Sequence, residues 1–400
     1  MILKINKSYP SLCTSNFDVL KLAMIFAKYN DLPLLIESTS NQVNQFGGYT
    51  HLKPKQFYKK LNILAKKIKF EKSFYIGADH LGPLPWKNLN ERVAMKNSIK
   101  LFKDVVKSGY NKIHIDTGIK LKSDKTLSKK TIINRCKKIF NSINTKKLNN
   151  IFFVFGTEVP IAGGGQLYTT KTTSLSSIKA DLKYYSKLQK SFSLVIEPGL
   201  GFDNNKVFNL KMNYFENKKS LSYLNNFSYE AHSSDFQNSF ALKKLVKNNF
   251  KFLKVGPELT FFYMKAILQM QKIENMNNFK KKSNIKKIIS TEMHKDNRYW
   301  VNYYQGSKKK IEYLKFNSLL DRSRYYWSKK KIIKSLSLLK KNINSLDIKS
   351  IFTTSKILKK KLHLQDKLKL NNFEFFIFCY LNKTLCKYYK ACNYSLKKEI

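Results

Sequence analysis

The stretch KSFYIGADHLGP (residues 72–83) contains a run of apolar residues that ends at Asp79 and His80, just before Gly and Pro. A nearly continuous apolar run of this kind is typical of a parallel strand covered on both faces. In α/β proteins, polar residues at the carboxyl end of such a strand commonly belong to a functional site. The stretch therefore predicts a buried parallel strand that carries Asp79 and His80 into a site.

Seven more apolar runs precede or follow this one before about residue 260, and longer segments with helical spacing separate them. The eight runs cover residues 8–15, 32–39, 74–80, 112–117, 151–158, 193–199, 227–233 and 251–257. Asn16 is predicted to cap the first helix, and Gly109 to end the third. Eight strand–helix units of this total length predict a TIM (β/α)8 barrel. The main alternative, a doubly wound sheet, usually has fewer strands and a glycine-rich first turn, which SLCTSNFD lacks.

The rest of the chain is rich in Lys, Leu, Asn and Tyr and is predicted to be mainly helical. We therefore divide the chain into a barrel at residues 1–265 and a helical C-terminal extension, packed on the barrel, at residues 266–400. The extension contains two aromatic clusters beside charges, DNRYWVNYYQG (296–306) and LLDRSRYYW (319–327). We interpret both as packing contacts of the extension rather than as ligand contacts.

The chain has 76 basic and 26 acidic residues, a formal net charge of +50. Such a balance is found in proteins that bind polyanions. However, the lysines are spread along the whole chain and accompany many Asn, Ile and Phe residues, which indicates a compositional bias. A nucleic-acid partner is therefore not predicted.

Cysteine usage and the N-terminus both favour a cytoplasmic protein. The five cysteines are an odd number without zinc-site spacing, which argues against a disulfide framework or a structural zinc site. The N-terminal residues lack the apolar core of a signal peptide, and no apolar run reaches the roughly 18 residues of a membrane span. We expect no membrane partner.

The polar residues that end the eight runs should meet at one mouth of a barrel, where barrel enzymes have their active sites. Three of the six histidines in the chain lie at these ends, together with several carboxylates. Imidazole and carboxylate groups together can hold a divalent metal. The candidates are Glu37, Asp79, His80, His114, Asp116, Glu158, Glu197, Glu230 and His232.

Other polar residues near the predicted mouth are candidates for binding substrate. Barrels commonly bind phosphate at the ends of their seventh and eighth strands, where HSSDFQ and KVGPELT follow the last two runs. The predicted substrate and phosphate ligands are Asn41, Gln42, Asn44, Ser233, Ser234, Lys254 and Gly256. The glycines at 163–165 are interpreted as a loop, and the absence of a G-x-x-x-x-G-K-[ST] motif argues against a nucleotide.

Nine sequence blocks, in order, give the chain a family resemblance. They are LPLLIESTSNQVNQFGGYT, GADHLGPLPW, IHIDT, GTEVPIAGGG, VIEPGLGFD, YEAHSSDFQ, LKVGPELTF, YWVNYYQG and DRSRYYW. Together they closely resemble the accessory, so-called non-catalytic Z-type subunit of class II D-tagatose-1,6-bisphosphate aldolase. The resemblance implies a TIM barrel related to class II aldolases.

It also implies a role in the catabolism of tagatose, galactitol and amino-sugar phosphates. Members of the family are described as supporting the activity and stability of a catalytic class II aldolase subunit, which is the partner that the resemblance implies. Some relatives resemble enzymes in their own right that epimerise ketohexose phosphates at C4, such as fructose 6-phosphate and tagatose 6-phosphate. The sequence is compatible with both functions.

The resemblance also suggests roles for individual residues. Class II aldolases place an Asp and then a metal-binding His at the end of strand 3, where Asp79 and His80 stand, and another His at the end of strand 7, where His232 stands. Glu197 occupies the place of their third metal-binding His. The predicted site therefore has His80, Glu158, Glu197 and His232 as ligands of Zn²⁺ or Mn²⁺, and Asp79, Asp116 and Glu37 as acid–base residues.

The chain departs from the family pattern at the predicted mouth. Asn16 replaces a usual His, Gly118 and Leu121 replace a Ser and a Cys, and Glu197 stands where Gln is common. These departures leave open whether the chain is an enzyme by itself.

Overall fold

Eight parallel strands close into a barrel in the computed structural model of the chain. The structure describes residue 3 and residues 6–71, 74–157, 172–211, 213–216, 227–347 and 361–398. The strands of the described chain are β1 (Tyr9–Cys13), β2 (Leu34–Thr39), β3 (Phe74–Leu81), β4 (Lys112–Ile115), β5 (Phe152–Phe155), β6 (Phe192–Val195), β7 (Gly201–Phe202), β8 (Val207–Phe208), β9 (Ser228–Ala231) and β10 (Phe250–Val255).

The barrel strands follow one another around the barrel in chain order. Two short strands, β7 and β8, are not part of the barrel. They follow β6 in the chain and pair with each other as a small antiparallel ribbon. Pairing of β1 with β10 closes the barrel. The predicted TIM barrel with helices after it is therefore confirmed.

Helices cover the barrel and form most of the C-terminal third of the chain. They are α1 (Phe17–Tyr29), α2 (Pro54–Ile68), α3 (Glu91–Lys107), α4 (Lys129–Phe140), α5 (Leu175–Tyr185), α6 (Asn213–Glu216), α7 (Ser239–Lys247), α8 (Pro257–Met276), α9 (Ile285–Lys295), α10 (Lys308–Asn317), α11 (Lys330–Asn344), α12 (His363–Leu368) and α13 (Asn372–Ala391). Asn16 caps α1 as predicted, because its side chain accepts hydrogen bonds from the N–H groups of Asp18 and Val19. Gly109 follows α3 with φ of +84°, a conformation that favours glycine.

The C-terminal helices pack where the barrel closes. α13 lies against α1, α7 and α8, next to the pairing of β1 with β10, and α11 lies against α8 and α9. α8 runs across residue 265, so one helix connects the two predicted domains. The division of the chain into a barrel at residues 1–265 and an extension at residues 266–400 stays a prediction. Within the described residues, no helix combines the length and the apolar character that crossing a membrane requires.

The barrel lumen has an apolar floor and a charged upper layer. The floor consists of Leu3, Tyr9, Leu35, Tyr75, Phe152, Val154, Val195 and Phe252. Strand side chains alternate between faces, so the residue two positions further along each strand enters the lumen closer to its carboxyl end. Glu37 follows Leu35 in this way, and Lys254 follows Phe252. The alternation therefore brings charged side chains to the upper part of the lumen, beneath the mouth.

Candidate active site

Three histidine rings meet at the carboxyl end of the barrel. His80 belongs to β3, His114 to β4, and His232 directly follows β9; all three are buried. The ring centroids of His80 and His114 are 5.1 Å apart. His232 lies 4.9 Å from the His80 ring and 5.0 Å from the His114 ring. The structure thus places the three strand-end histidines in one triangular cluster.

An irregular backbone at His80 brings two adjacent residues into this cluster. In a regular strand, Asp79 and His80 would point to opposite faces of the sheet. The pairing of β3 with β4 shifts register between Ala78 and Leu81, and His80 has φ of +46°, which non-glycine residues seldom adopt. Irregularities of this kind redirect side chains. Both Asp79 and His80 consequently contact the site.

Asp79 lies at the centre of the polar network. Its Oδ1 is 2.8 Å from His114 Nδ1 and its Oδ2 is 3.5 Å from His80 Nε2, and the carboxylate forms an ion pair with Lys254. The Cys13 thiol donates a hydrogen bond to Oδ2. Burial raises the pKa of Asp79, but His80, Lys254 and the hydrogen bond from His114 outweigh burial and hold this pKa well below its usual range. Asp79 is therefore an ionised carboxylate that can accept a proton.

His80 has the surroundings of a metal-binding imidazole. Its Nδ1 lies 2.9 Å from Asp116 Oδ2, and Asp116 Oδ1 accepts a hydrogen bond from the backbone N–H of Gly118. Burial raises the pKa of Asp116, but the hydrogen bond with His80 contributes to holding it below its usual value. A carboxylate in this position orients the ring and directs Nε2 to the site. Asp116, predicted as an acid–base residue, thus lies behind His80.

His114 makes hydrogen bonds inside the protein with both ring nitrogens. Its Nε2 lies 3.1 Å from the carbonyl oxygen of Gly156. Its Nδ1 contacts Asp79 and also the backbone N–H of His80. Burial lowers the pKa of His114. The ring is therefore well placed to hold Asp79 in position.

A buried lysine that sequence analysis did not single out links two carboxylates below the histidines. Lys112 Nζ lies 2.6 Å from Glu37 Oε1 and 2.5 Å from Glu230 Oε2, and all three side chains are fully buried. Glu230 Oε1 is 2.8 Å from His232 Nε2. Burial lowers the pKa of Lys112, but Glu230 and Glu37 raise it above its usual value. Glu37, predicted to be catalytic, thus lies in a charge-balanced layer below the mouth.

Four side chains could hold a metal ion together. Asp79, His114, Glu230 and His232 each offer a ligand atom, and these atoms lie within 4.8 Å of one another. A buried set of nitrogen and oxygen donors suits Zn²⁺ and Mn²⁺. A cation here would compete with Lys254, which already pairs with Asp79. The donor types fit a divalent metal, whose binding would displace Lys254 from Asp79.

Of the other predicted metal ligands, His80 lies beside these four donors, and Glu197 lies further away. The Glu197 carboxylate accepts hydrogen bonds from the backbone N–H groups of Gly199 and Leu200, over 2.7 and 3.1 Å, in the loop after β6. It is not among the four clustered donors. Glu158, like the glycines at 163–165, lies outside the described residues.

Two connected cavities open above the cluster. The inner pocket, of about 110 Å³, reaches Asp79, His80, His232 and Lys254. The outer chamber, of about 580 Å³, is mostly lined by residues further from the barrel axis. Both share the side chains of Asn41, Tyr49, His80, Leu84 and Tyr325. A ligand can therefore extend from the inner pocket into the chamber.

The predicted substrate ligands divide into those that line a cavity and those that shape a loop. The lining residues are Asn41, Gln42, Asn44, Ser233, Lys254 and Gly256. Asn44 also accepts hydrogen bonds from the N–H groups of Phe46 and Gly48, which shapes the loop after β2. Ser234 is buried, and its hydroxyl donates to the carbonyl of Lys254 over 2.6 Å.

Sequence analysis missed the outer wall of the site, which comes from the two aromatic clusters. Arg298 and Arg322 line the outer chamber, and Arg324 lines the inner pocket. The chain has only five arginines among its 76 basic residues, so three of the five lie around one site. The concentration of these rare arginines in residues 296–306 and 319–327 was a signal of a binding site. The interpretation of the two aromatic clusters as packing contacts did not take it into account.

The barrel, the buried carboxylate–imidazole cluster and the arginines around the two cavities define a TIM-barrel protein with a polar site at the carboxyl ends of its strands. The chain belongs to the family described as D-tagatose-1,6-bisphosphate aldolase subunit GatZ/KbaZ-like, whose model matches residues 4–393. The family resemblance seen in the sequence is thereby confirmed.

Named relatives match most of the chain. It is 31% identical over 359 residues to the D-tagatose-1,6-bisphosphate aldolase subunit GatZ of Salmonella paratyphi B, covering 84% of each chain. It is 31% identical over 361 residues to the GatZ subunit of Escherichia coli O6:H1, covering 84% of this chain and 85% of the relative. A crystal structure of a probable tagatose 6 phosphate kinase from Sinorhizobium meliloti 1021 matches with a TM-score of 0.84 at 25% identity, covering 96% of this chain and 100% of that one.

Proposed function

We propose that the chain acts in the catabolism of tagatose, galactitol or amino-sugar phosphates as the accessory subunit of a class II tagatose-1,6-bisphosphate aldolase. The observation that carries this proposal is the family match over residues 4–393, together with relatives that are named as subunits of this aldolase. In this role the chain binds a catalytic class II aldolase subunit and supports its stability and activity. The cytoplasmic location predicted from the sequence suits this role.

The test of the accessory role is reconstitution. The full chain and a catalytic class II tagatose-bisphosphate aldolase from the same source are purified separately and mixed. The expected result is a complex on size-exclusion chromatography, with a higher thermal midpoint and higher cleavage rate of tagatose 1,6-bisphosphate than the catalytic subunit alone. No complex at micromolar concentrations and no change in rate would refute the accessory role.

The second candidate is a metal-dependent 4-epimerase of ketohexose phosphates, which interconverts fructose 6-phosphate and tagatose 6-phosphate. The observation in its favour is the buried cluster of Asp79, His114, Glu230 and His232, with His80 beside it. Burying several charges is costly unless they are well paired. Binding a partner through the protein surface does not require such a cluster.

The residues of the cluster suggest how the epimerisation would proceed. His232, Glu230 and the Nε2 atom of His80 are the donors that would hold Zn²⁺ or Mn²⁺, and the bound ion would supply Lewis-acid polarisation of the ketose oxygens. Asp79 is held ionised, so it can take the proton of the C4 hydroxyl. The C3–C4 bond would then break, with its electron pair passing to the C1–C3 fragment as an enediolate and an aldehyde left at C4. The aldehyde would rotate, and the enediolate would attack its other face to re-form the bond. Asp79 returns the proton to the C4 oxygen, which inverts C4 without net gain or loss of atoms.

The epimerase is tested with the purified chain alone. We expect about one divalent metal per chain, and slow conversion of fructose 6-phosphate to tagatose 6-phosphate that chelation abolishes. His80→Ala and His232→Ala should each lose metal and activity together, whereas His363→Ala, on α12, should retain both. Metal-free protein that stays inactive after Zn²⁺ or Mn²⁺ is added would exclude this function and leave the accessory role intact.

A further inference from the structure

We infer that the phosphate group of a sugar phosphate binds in the outer chamber, against Arg322 with Lys87 and Arg298 at the rim. This inference rests on the sugar-phosphate class of the proposed function, and it concerns a different place from the strand ends where the sequence predicted the phosphate. Three steps support it: the usual phosphate position is taken up by the protein, the chamber is cationic, and the two cavities together fit a hexose phosphate.

The usual phosphate position of a barrel, at the end of its last two strands, is taken up by carboxylates. Asp235 Oδ1 accepts hydrogen bonds from the backbone N–H groups of Gly256 and Glu258, over 2.9 and 2.8 Å, at the start of α8. The Glu258 carboxylate accepts from the N–H of Phe236. These N–H groups are the ones that a phosphate would need at a helix N-terminus.

The outer chamber has the opposite charge. Its lining includes Lys87, Arg298 and Arg322, and among the described residues its single acidic side chain is Asp116, which is hydrogen-bonded to His80. Arg298 also forms a two-point ion pair with Asp296 and is exposed, so it contributes at the rim. The chamber thus attracts anions at its wall and rim.

Arg322 is held in a fixed position facing this chamber. It is buried, its guanidinium lies 3.3 Å from the ring centroid of Tyr303, and its Nη1 donates to the Tyr325 hydroxyl over 3.1 Å. Arg324 donates to the same hydroxyl from the side of the inner pocket. A guanidinium fixed by stacking loses little freedom when it binds a phosphate, and its planar donors match phosphate oxygens. In a chain that otherwise uses lysine, arginine at these positions is consistent with such a task.

The sizes of the cavities agree with this arrangement. Sites for small molecules usually measure about 300–1,000 Å³, so the inner pocket of about 110 Å³ is too small for a complete hexose phosphate. With its reacting carbons beside Asp79 and His80, the ligand must extend past Tyr49 and Tyr325 into the chamber of about 580 Å³. Its phosphate then reaches Arg322.

The experiment measures binding without reaction. D-glucitol 6-phosphate has no carbonyl group and cannot be cleaved or epimerised, so its dissociation constant can be measured by calorimetry on the full chain alone. We expect Arg322→Met to weaken its binding at least tenfold, and Lys87→Met and Arg298→Met to weaken it about threefold each. Arg322→Lys should restore part of the loss, and binding should weaken as salt concentration rises. The matched controls, exposed Arg92→Met and Lys287→Met, should change binding less than 1.5-fold.

Some outcomes would overturn the inference. One is a tenfold loss of affinity in Ser233→Ala while the Lys87 and Arg298 variants bind as the wild type does. Another is the absence of binding of both D-glucitol 6-phosphate and inorganic phosphate at millimolar concentrations. The exposed Lys87 and Arg298 variants keep the test valid if Arg322→Met fails to fold. Arginine-dependent binding in a chain without epimerase or accessory activity would refute the proposed function and leave the phosphate site standing.

Discussion

The inner pocket and the outer chamber of this site share part of their walls but use charge differently. Below the inner pocket, lysines and carboxylates of the barrel strands pair with one another, as in the group of Lys112, Glu37 and Glu230. The outer chamber adds arginines and tyrosines from beyond β10 to residues of the loops after β2, β3 and β4, and its described lining has a surplus of positive charge. Charge in the lumen is thus part of what holds the barrel together, whereas charge in the chamber faces the space for a ligand. Substitutions in the lumen should therefore reduce stability, and those in the chamber should reduce binding.

The largest expected effect is that of Lys112→Met. The substitution leaves Glu37 and Glu230 buried without their shared cation, and breaking a buried pair costs about 3–5 kcal/mol of the free energy of unfolding. Urea unfolding measures it, with the exposed Lys107→Met on α3 as the control. A double variant with Glu230→Gln should recover part of the loss. A loss below about 1 kcal/mol for Lys112→Met would show that the lumen charges do not stabilise the barrel.

The next effect concerns pH. Burial, with a smaller contribution from Glu258, raises the pKa of Asp235 to about 7 against the opposing effect of two backbone N–H groups and Lys387. Between pH 4 and pH 7 the folded chain therefore keeps a proton that the unfolded chain has lost, so stability falls as pH rises through this window. The fall should amount to roughly 3 kcal/mol.

Asp235→Asn should remove this part of the pH dependence. Free energies of unfolding of both proteins at pH 4.5 and pH 8 measure it, and the variant should gain on the wild type at the higher pH. Parallel pH profiles for the two proteins would contradict the assignment of a proton to Asp235.

A smaller effect, that of Glu197→Ala, distinguishes two roles of Glu197: shaping its own loop or binding a metal ion. As the structure has it, the carboxylate accepts two N–H hydrogen bonds of its own loop, so Glu197→Ala should cost about 1–2 kcal/mol of stability. Its metal content, measured by elemental analysis, should equal that of the wild type. If the variant loses its metal, Glu197 is a metal ligand, as the sequence predicted.

The smallest effect is expected at the chamber rim. Arg298 is 71% exposed and pairs with Asp296, and exposed ion pairs contribute about 0–1 kcal/mol. Arg298→Met should therefore change the thermal midpoint only slightly while it weakens binding of a phosphorylated ligand. A loss of stability as large as that of Lys112→Met would remove the distinction between the two regions.

The sequence predicted the barrel and much of the inner pocket because both follow from simple periodicities. Apolar runs repeat at strand–helix spacing, and alternation along each strand takes residues such as Glu37 and Lys254 into the lumen. The bulge at His80 could not be predicted, because nothing in the letter pattern reveals a positive φ. Lys112 was hidden for another reason: in a chain full of surface lysines, a buried one has no distinctive signal.

The outer wall could not be predicted because it depends on contacts between distant segments. Tyr325 stacks at 4.6 Å on Tyr299 and meets Tyr49 from the loop after β2 at 4.8 Å between ring centroids. No local pattern indicates that residues almost 280 positions apart touch. The role of Glu197 cannot be assigned from the sequence for a local reason, because a position at a strand end does not determine whether the side chain faces the mouth or its own turn.

The packing of α13 has a consequence for how the chain is made. This helix covers the closure of the barrel, and its Tyr389 hydroxyl donates to the carbonyl of Pro33, near the start of the chain. A ribosome synthesises α13 after the strands of the barrel, so until α13 emerges the apolar surfaces of α1, α7 and α8 lack their cover. Transiently exposed apolar surface invites aggregation and chaperone binding. A chain cut before Asn372 should therefore expose these apolar surfaces to chaperones, even though the eight described strands of its barrel are present.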